Sequence, residues 1–257
     1  MFIRYRTRAV FLKKENLREA DKLFTVYTEK FGKILVLGKS IRKIKSKLAA
    51  GAQLFCLSEI EFIQGRAYKT LTDVILINKF EKILTDYQKL ELAYKMSDNL
   101  DSFLPLEQKD LKIWQLLLSF LKNFDNFSLN CQDSCFEKHL FYYYFFLWNF
   151  FSALGYKPQL YSCLVCKKRL CGNSFWFLTN HGSIVCKDCF RKIDSQMQKE
   201  AIKISPETIK VLRVFLESKF DIIKKIKVRR VDIGELRVVS TNYALSINSF
   251  QGKQNKI

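Results

Sequence analysis

The hydrophobic period of the chain changes once, near residue 80, and that change limits the available folds more than any motif does. Before it, apolar residues alternate. Between residues 2 and 12, Ile3, Tyr5, Ala9 and Phe11 fall on one face and Arg4, Arg6 and Arg8 on the other, the pattern of a half-buried strand with a cationic outer face. LFTVYT at 23–28 and KILVLGK at 33–39 flank EKFGK, where Gly32 suits the positive φ of a turn, so the pair predicts a hairpin. QLFCLSEIEFI at 53–63 and YKTLTDVILIN at 68–78, separated by QGRA, predict two more strands. Five short strands in succession suit a small closed barrel with no open edge, a pattern shared by the OB-fold and the SH3-like barrel.

After residue 80 the spacing is helical. Phe80, Ile83, Leu84, Tyr87, Leu90 and Tyr94 recur with that period, and beyond Pro105 so do Leu111, Trp114, Leu117, Leu118, Leu121 and Phe124. LFYYYFFLWNFF at 140–151 is apolar on nearly all sides and predicts the central helix of a bundle, stopping near Gly155. It is too short for the roughly 20 apolar residues that cross a bilayer. In SPETIKVLRVFLESKF at 205–220, Ser205 stands as N-cap, Pro206 at the first helical position and Glu207 in the first turn. The expected architecture is α+β: a five-stranded barrel over 1–80, a helical domain over 81–250 and a frayed polar tail over 251–257.

Charge sets the expected partner. The chain carries a formal net charge of +19, which predicts a polyanion, nucleic acid before an anionic membrane surface. MFIRYRTRAVFLKK has no apolar run to serve as a signal peptide, so a cytoplasmic protein is expected. The cations concentrate in GKSIRKIKSKLAAG at 38–51, with Lys39, Arg42, Lys43, Lys45 and Lys47. Lys30 and Lys33 precede them, and no acid occurs between Glu29 and Glu59. A merely solvated surface is served by mixed signs, whereas an unanswered run predicts contact with a phosphate backbone. GKS at 38–40 imitates the end of a phosphate-binding loop, but the glycine required five positions before Gly38 is replaced by Lys33, so no nucleotide site is expected.

YSCLVCKKRLCGNSFWFLTNHGSIVCKDCF holds two CxxC pairs, Cys163 with Cys166 and Cys186 with Cys189, with nineteen residues between them. Two thiolates two residues apart share one face of a tight turn, and two such turns complete a tetrahedron about zinc. Four protein ligands leave no open position for water, so one structural Zn2+ is expected in a module over 160–192. Cys171 and His181 lie inside it without paired spacing, and Cys56, Cys131 and Cys135 read as small buried apolar residues. Lys167, Lys168, Arg169 and Lys187 decorate the module. With two histidines, no clustered carboxylates and a closed metal site, no enzyme is expected.

EADKLFTVYTEKFGK, the basic loop before LAAGAQLF, and LGYKP leading into the cysteines together resemble the RecO family of bacterial recombination mediators, over residues 5 to 218. Ser40 stands where the family commonly has a glycine. The resemblance implies an N-terminal OB-fold that binds single-stranded and duplex DNA, followed by a helical domain with a zinc module. It further implies strand annealing, binding of RecR and of the tail of the single-stranded-DNA-binding protein SSB, and help in loading RecA on coated DNA at the nucleoid. Its DNA-contacting loop corresponds to Lys39, Arg42, Lys43, Lys45 and Lys47, and its zinc ligands to the four paired cysteines. Lys33 and the strand arginines Arg4, Arg6 and Arg8 join the expected DNA surface. A different class, an RNA-binding protein of translation or ribosome assembly, shares the barrel, the zinc ribbon and the basic charge.

Overall fold

The computed structural model describes residues 3–17, 19–127, 135–217, 220–223 and 230–254. They form two compact units, Met1–Ser128 and Leu129–Ile257.

In the first unit, β1 (Arg4–Asn16), β2 (Lys22–Thr28), β3 (Gly32–Gly38), β4 (Leu57–Ile63) and β5 (Lys69–Asn78) close a barrel in the order β1-β2-β3-β5-β4. All neighbours are antiparallel except β3 and β5, which run parallel through Val36–Lys69 and Leu37–Thr70. That parallel step, with β5 inserted between β3 and β4, is the OB-fold order and separates it from a meandering barrel of the SH3 type. Phe11, Phe24, Val26, Ile34, Val36, Ile60, Phe62 and Leu71 fill the interior, each large side chain contributing about 1.5–3 kcal/mol on burial. The strand expected over 53–63 begins only at Leu57. Phe55 turns the chain at φ 60°, its N–H donating to the Phe11 carbonyl at 2.8 Å.

β1 is amphipathic along its length as well as across it. Its first half exposes Arg4, Arg6 and Arg8, whereas Val10 and Leu12, in the same alternating row, are buried. A register shift between Phe11 and Lys13 bends the strand there. α1 (Glu81–Thr85), α2 (Tyr87–Phe103) and α3 (Leu111–Asn126) follow, α2 and α3 capped by Asp86 and Asp110. They pack on the barrel: the Ser97 hydroxyl donates to the Leu12 carbonyl at 2.8 Å, and Tyr27 lies against Trp114 with its hydroxyl donating to the Asp110 carbonyl. Gly32, at φ 66°, meets the same cover, because a Cβ there would stand 1.9 Å from the Gln108 carbonyl oxygen. The change of period at residue 80 therefore marks where strand yields to helix, while the compact unit closes three helices later.

In the second unit, α4 (Cys135–Ala153) is the buried helix the aromatic run predicts. β6 (Gln159–Cys163), β7 (Phe175–Leu178), β8 (Ser183–Cys186), α5 (Lys187–Phe190), α6 (Ser195–Glu200), β9 (Ala201–Ile204), α7 (Pro206–Glu217), α8 (Phe220–Ile223) and α9 (Arg230–Gln254) follow. α4 is clasped by aromatic pairs, Phe141 with Phe215 of α7 at 4.8 Å and Trp148 stacked on Tyr243 of α9 at 4.9 Å. Ser205 accepts from the Thr208 N–H at 3.2 Å as cap of α7. Glu235 of α9 accepts from the Ser205 N–H at 2.8 Å, a carboxylate placed at the positive end of that helix.

Two features depart from the helical expectation. β6, β8, β7 and β9 form a four-stranded sheet in that order, built from segments of four or five residues, too short for periodicity to register. α9 continues through Gln254 into the stretch expected to fray, and 255–257 lie outside the described residues. Cys131 also lies outside them, as does the side chain of Cys135. Cys56 is fully buried, and desolvation pushes its thiol up to about 11. Among the described residues no helix is long and apolar enough to cross a membrane.

Candidate nucleic-acid interface and metal centre

The basic loop between β3 and β4 is a succession of hydrogen-bonded turns. Ser40 takes φ 52°, a left-handed conformation that costs a non-glycine residue about 1–2 kcal/mol. Its N–H donates to the Asp21 carboxylate at 2.7 Å, which helps to offset that cost. The Arg42 N–H donates to the Ala20 carbonyl at 3.1 Å, Lys43 to Ser40 at 3.1 Å and Ser46 to Lys43 at 2.9 Å. Ile41, 5% exposed, and Leu48 pin the loop to the barrel core. Asp21 thus helps to set the loop's path, and its signal in the sequence is only its place in EADKLF.

On this frame Lys39, Arg42, Lys43, Lys45 and Lys47 are all exposed. Among the described residues none of the five forms an ion pair.

The other expected cations are placed differently. Lys33 is 7% exposed, and its ammonium bonds both the carboxylate of Asp101 at 3.2 Å and that residue's carbonyl. It ties the barrel to α2 and presents nothing to a surface ligand. This corrects the expectation for Lys33, whose position in the basic run concealed that β3 turns it inward under the helices. Arg4 faces Glu61 at 3.4 Å, and Arg6 lies between Glu59 at 4.0 Å and Asp73 at 3.8 Å. Arg8 grips Glu29 with two bonds at 2.9 and 2.5 Å. The Arg8 guanidinium holds the Glu29 carboxyl below the usual carboxylate range against the opposing effect of burial. The strand arginines are exposed but already answered by acids on β4, β5 and the β2–β3 turn.

The four expected metal ligands converge. The Sγ atoms of Cys163, Cys166, Cys186 and Cys189 all lie within 4.8 Å of one another, and sulfurs around tetrahedral zinc stand about 3.8 Å apart given a Zn–S length of about 2.3 Å. Cys163 ends β6, Cys186 ends β8 and Cys189 sits in α5, so the parallel β6–β8 pair aligns the two turns. Lys167 takes φ 57° to complete the first turn. The chemistry of the set suits a cation. Burial opposes ionisation of Cys163, but the N–H groups of Cys186, Cys166 and Val165 aim at its sulfur and hold its thiol down to about 6. Burial and the adjacent sulfurs push Cys189 up. Zn2+ held by these residues would bind them as thiolates, its charge answering theirs, and would supply structure only, every position being filled by protein. Cys171 and His181 are exposed and outside the set. A cavity of about 680 Å3 beside the cysteines is rimmed by Lys168, Arg169, Lys187 and Lys192.

The chain is similar to known proteins along most of its length. A family model for the N-terminal part of recombination protein O matches residues 1–80, and one for its C-terminal part matches 84–245. The second match extends well past residue 218, where the sequence resemblance stopped. The DNA repair protein RecO of Dehalococcoides mccartyi is 32% identical over 235 residues, 91% of this chain and 87% of that protein. The DNA repair protein RecO of Caldanaerobacter subterraneus is 30% identical over 238 residues, 93% of this chain and 90% of that protein. That of Acetivibrio thermocellus is 28% identical over 238 residues, covering 93% and 89%. An OB-fold barrel with an unanswered basic loop, a unit built on a four-cysteine cluster, and matches along nearly the whole length lead to one assignment: the chain belongs to the RecO family of DNA repair and recombination proteins.

Proposed function

We propose that the protein is a non-enzymatic recombination mediator that binds single-stranded and duplex DNA through the 39–47 loop, anneals complementary strands and helps load RecA onto SSB-coated DNA. The observation that carries this reading is the loop itself, five exposed cations without an ion-pair partner among the described residues. Cations that neutralise phosphates on two strands lower the repulsion between them, so that pairing proceeds, and released counterions supply much of the affinity. RecR, the acidic C-terminal tail of SSB and, indirectly, RecA are the proposed protein partners, and the cytoplasmic nucleoid the place of action. The zinc module is a structural staple in this scheme.

Annealing of SSB-coated complementary strands tests it, comparing wild type with the triple change Lys39→Glu, Arg42→Glu and Lys43→Glu. For the wild type, log affinity for a single strand against log salt should have a slope of roughly −3 to −4, about 0.7 for each of five phosphate contacts. The triple variant should retain two contacts, a slope of roughly −1 to −2, and no annealing. A flat wild-type profile would overturn the reading, and a preference for structured RNA over single-stranded DNA would replace it with a translation or ribosome-assembly role.

A further inference from the structure

The basic loop carries one residue that neither its charge nor its packing explains. Ile44 is 104% exposed, more than any other large apolar side chain among the described residues, and it stands between Arg42 and Lys43 on one side and Lys45 and Lys47 on the other. Apolar residues in this loop have an ordinary task, which Ile41 and Leu48 perform by packing on the barrel. Ile44 performs none of it. The turns closed by the Arg42, Lys43 and Ser46 N–H groups hold the backbone on both sides of it, so the side chain projects from a braced tip rather than from a slack segment. A branched aliphatic group in water at a solvated surface contributes nothing to solubility.

We propose that Ile44 is a wedge that enters between adjacent bases of the DNA strand held by the loop, a role that rests on the DNA-binding reading above. Bases are the apolar layers of a nucleic acid, and unstacking a step opens a slot that an isoleucine can fill, as aliphatic wedges do in proteins that kink DNA. The neighbours fit this use. Lys43 and Lys45 have Cα atoms at most about 7 Å apart along the chain, so they can hold the phosphates on either side of one base step while Ile44 enters it. A splayed step presents its pairing edges to a complementary strand. A peptide partner fits less well, because an apolar anchor on a peptide needs a concave receiver, and Ile44 is a convex tip.

The test uses the full-length zinc-loaded protein and an adenine-rich single strand carrying one 2-aminopurine, whose fluorescence is quenched by stacking. Wild type should raise the fluorescence on saturation. Ile44→Ser, at a fully exposed position, should melt with the wild type and keep the salt slope, since no cation is lost, but should bind about tenfold more weakly, as burial of one aliphatic side chain implies, and give no fluorescence rise. Ile44→Phe should restore both. Equal affinity and equal fluorescence for Ile44→Ser would overturn the wedge while leaving the DNA-binding reading intact. Loss of binding to an acidic, apolar peptide by Ile44→Ser, with DNA binding unchanged, would overturn it in favour of a peptide contact. Absence of salt-dependent binding in the wild type would remove both readings together.

Discussion

The N-terminal half of β1 and the loop after β3 carry cations at similar density along the chain, three in five residues and five in nine, yet they are electrostatically opposite. Arg4, Arg6 and Arg8 alternate with residues that face the barrel, so β4, β5 and the β2–β3 turn bring Glu61, Glu59, Asp73 and Glu29 opposite them. The loop lies outside the strands, between β3 and β4, and the acid that reaches it, Asp21, is already engaged by the Ser40 N–H. Local density of charge is therefore a poor guide to available charge. What decides is whether the pairing register delivers an acid to the same place.

The largest expected effect separates both regions from a third cationic set, the one around the cysteines. The module's own core is small, Leu178 and Val185 with Cys163 and Cys189, and structural zinc commonly supplies of order 10 kcal/mol to such a site. Chelation should expose the amides of β6 to β9 to rapid hydrogen exchange while the barrel amides stay protected and DNA binding through the loop keeps its salt slope. A loss of slope on chelation would show that Lys168, Arg169 and Lys187 share the phosphate contacts.

A smaller effect is expected at Lys33, the cation that belongs to neither surface. Lys33→Ala should cost about 2 kcal/mol of stability, the scale of a lost hydrogen bond to a charged group, with DNA affinity unchanged. The same variant should alter the acid limb of a denaturation series. Burial opposes ionisation of Asp101, but Lys13 and Lys33 outweigh it and hold that carboxyl below its usual value. A folded value below the unfolded one of about 3.9 means the pair stabilises at higher pH and its contribution is lost as pH falls through the folded value. Lys33→Ala should therefore lose less stability than wild type between about pH 5 and the acid transition, as urea melts across that range would record.

The smallest effect is expected at Arg8. Its pair with Glu29 is largely solvated, so Arg8→Gln should change stability by under about 1 kcal/mol and single-strand affinity by less than about threefold, since the loop cations supply the contacts. A drop as large as that from Lys43→Glu, read in the same salt titration, would erase the distinction between the two regions.

Much of this was legible in advance because it is written in short-range pattern. Alternation identified all five barrel strands, the 140–151 run named the buried helix, and the CxxC spacing named the four converging sulfurs, since a turn of four residues sets the relation of two thiolates wherever it occurs. What the pattern missed follows from the same physics. Strands of four or five residues around the cysteines hold too few side chains for a period to emerge, and Phe55, at a left-handed φ, broke a run that composition alone reads as strand.

The sequence by itself determined which segments bury an apolar face, where strand gives way to helix, which four thiols converge, and that the chain carries a large positive charge, because each depends on residue type and spacing along the backbone. Only the tertiary structure decided the barrel's strand order, the inward course of Lys33, the neutralisation of the β1 arginines and the isolation of the loop cations around Ile44. Those depend on which distant residues the fold sets opposite one another, and electrostatic pairing, unlike periodicity, acts through space.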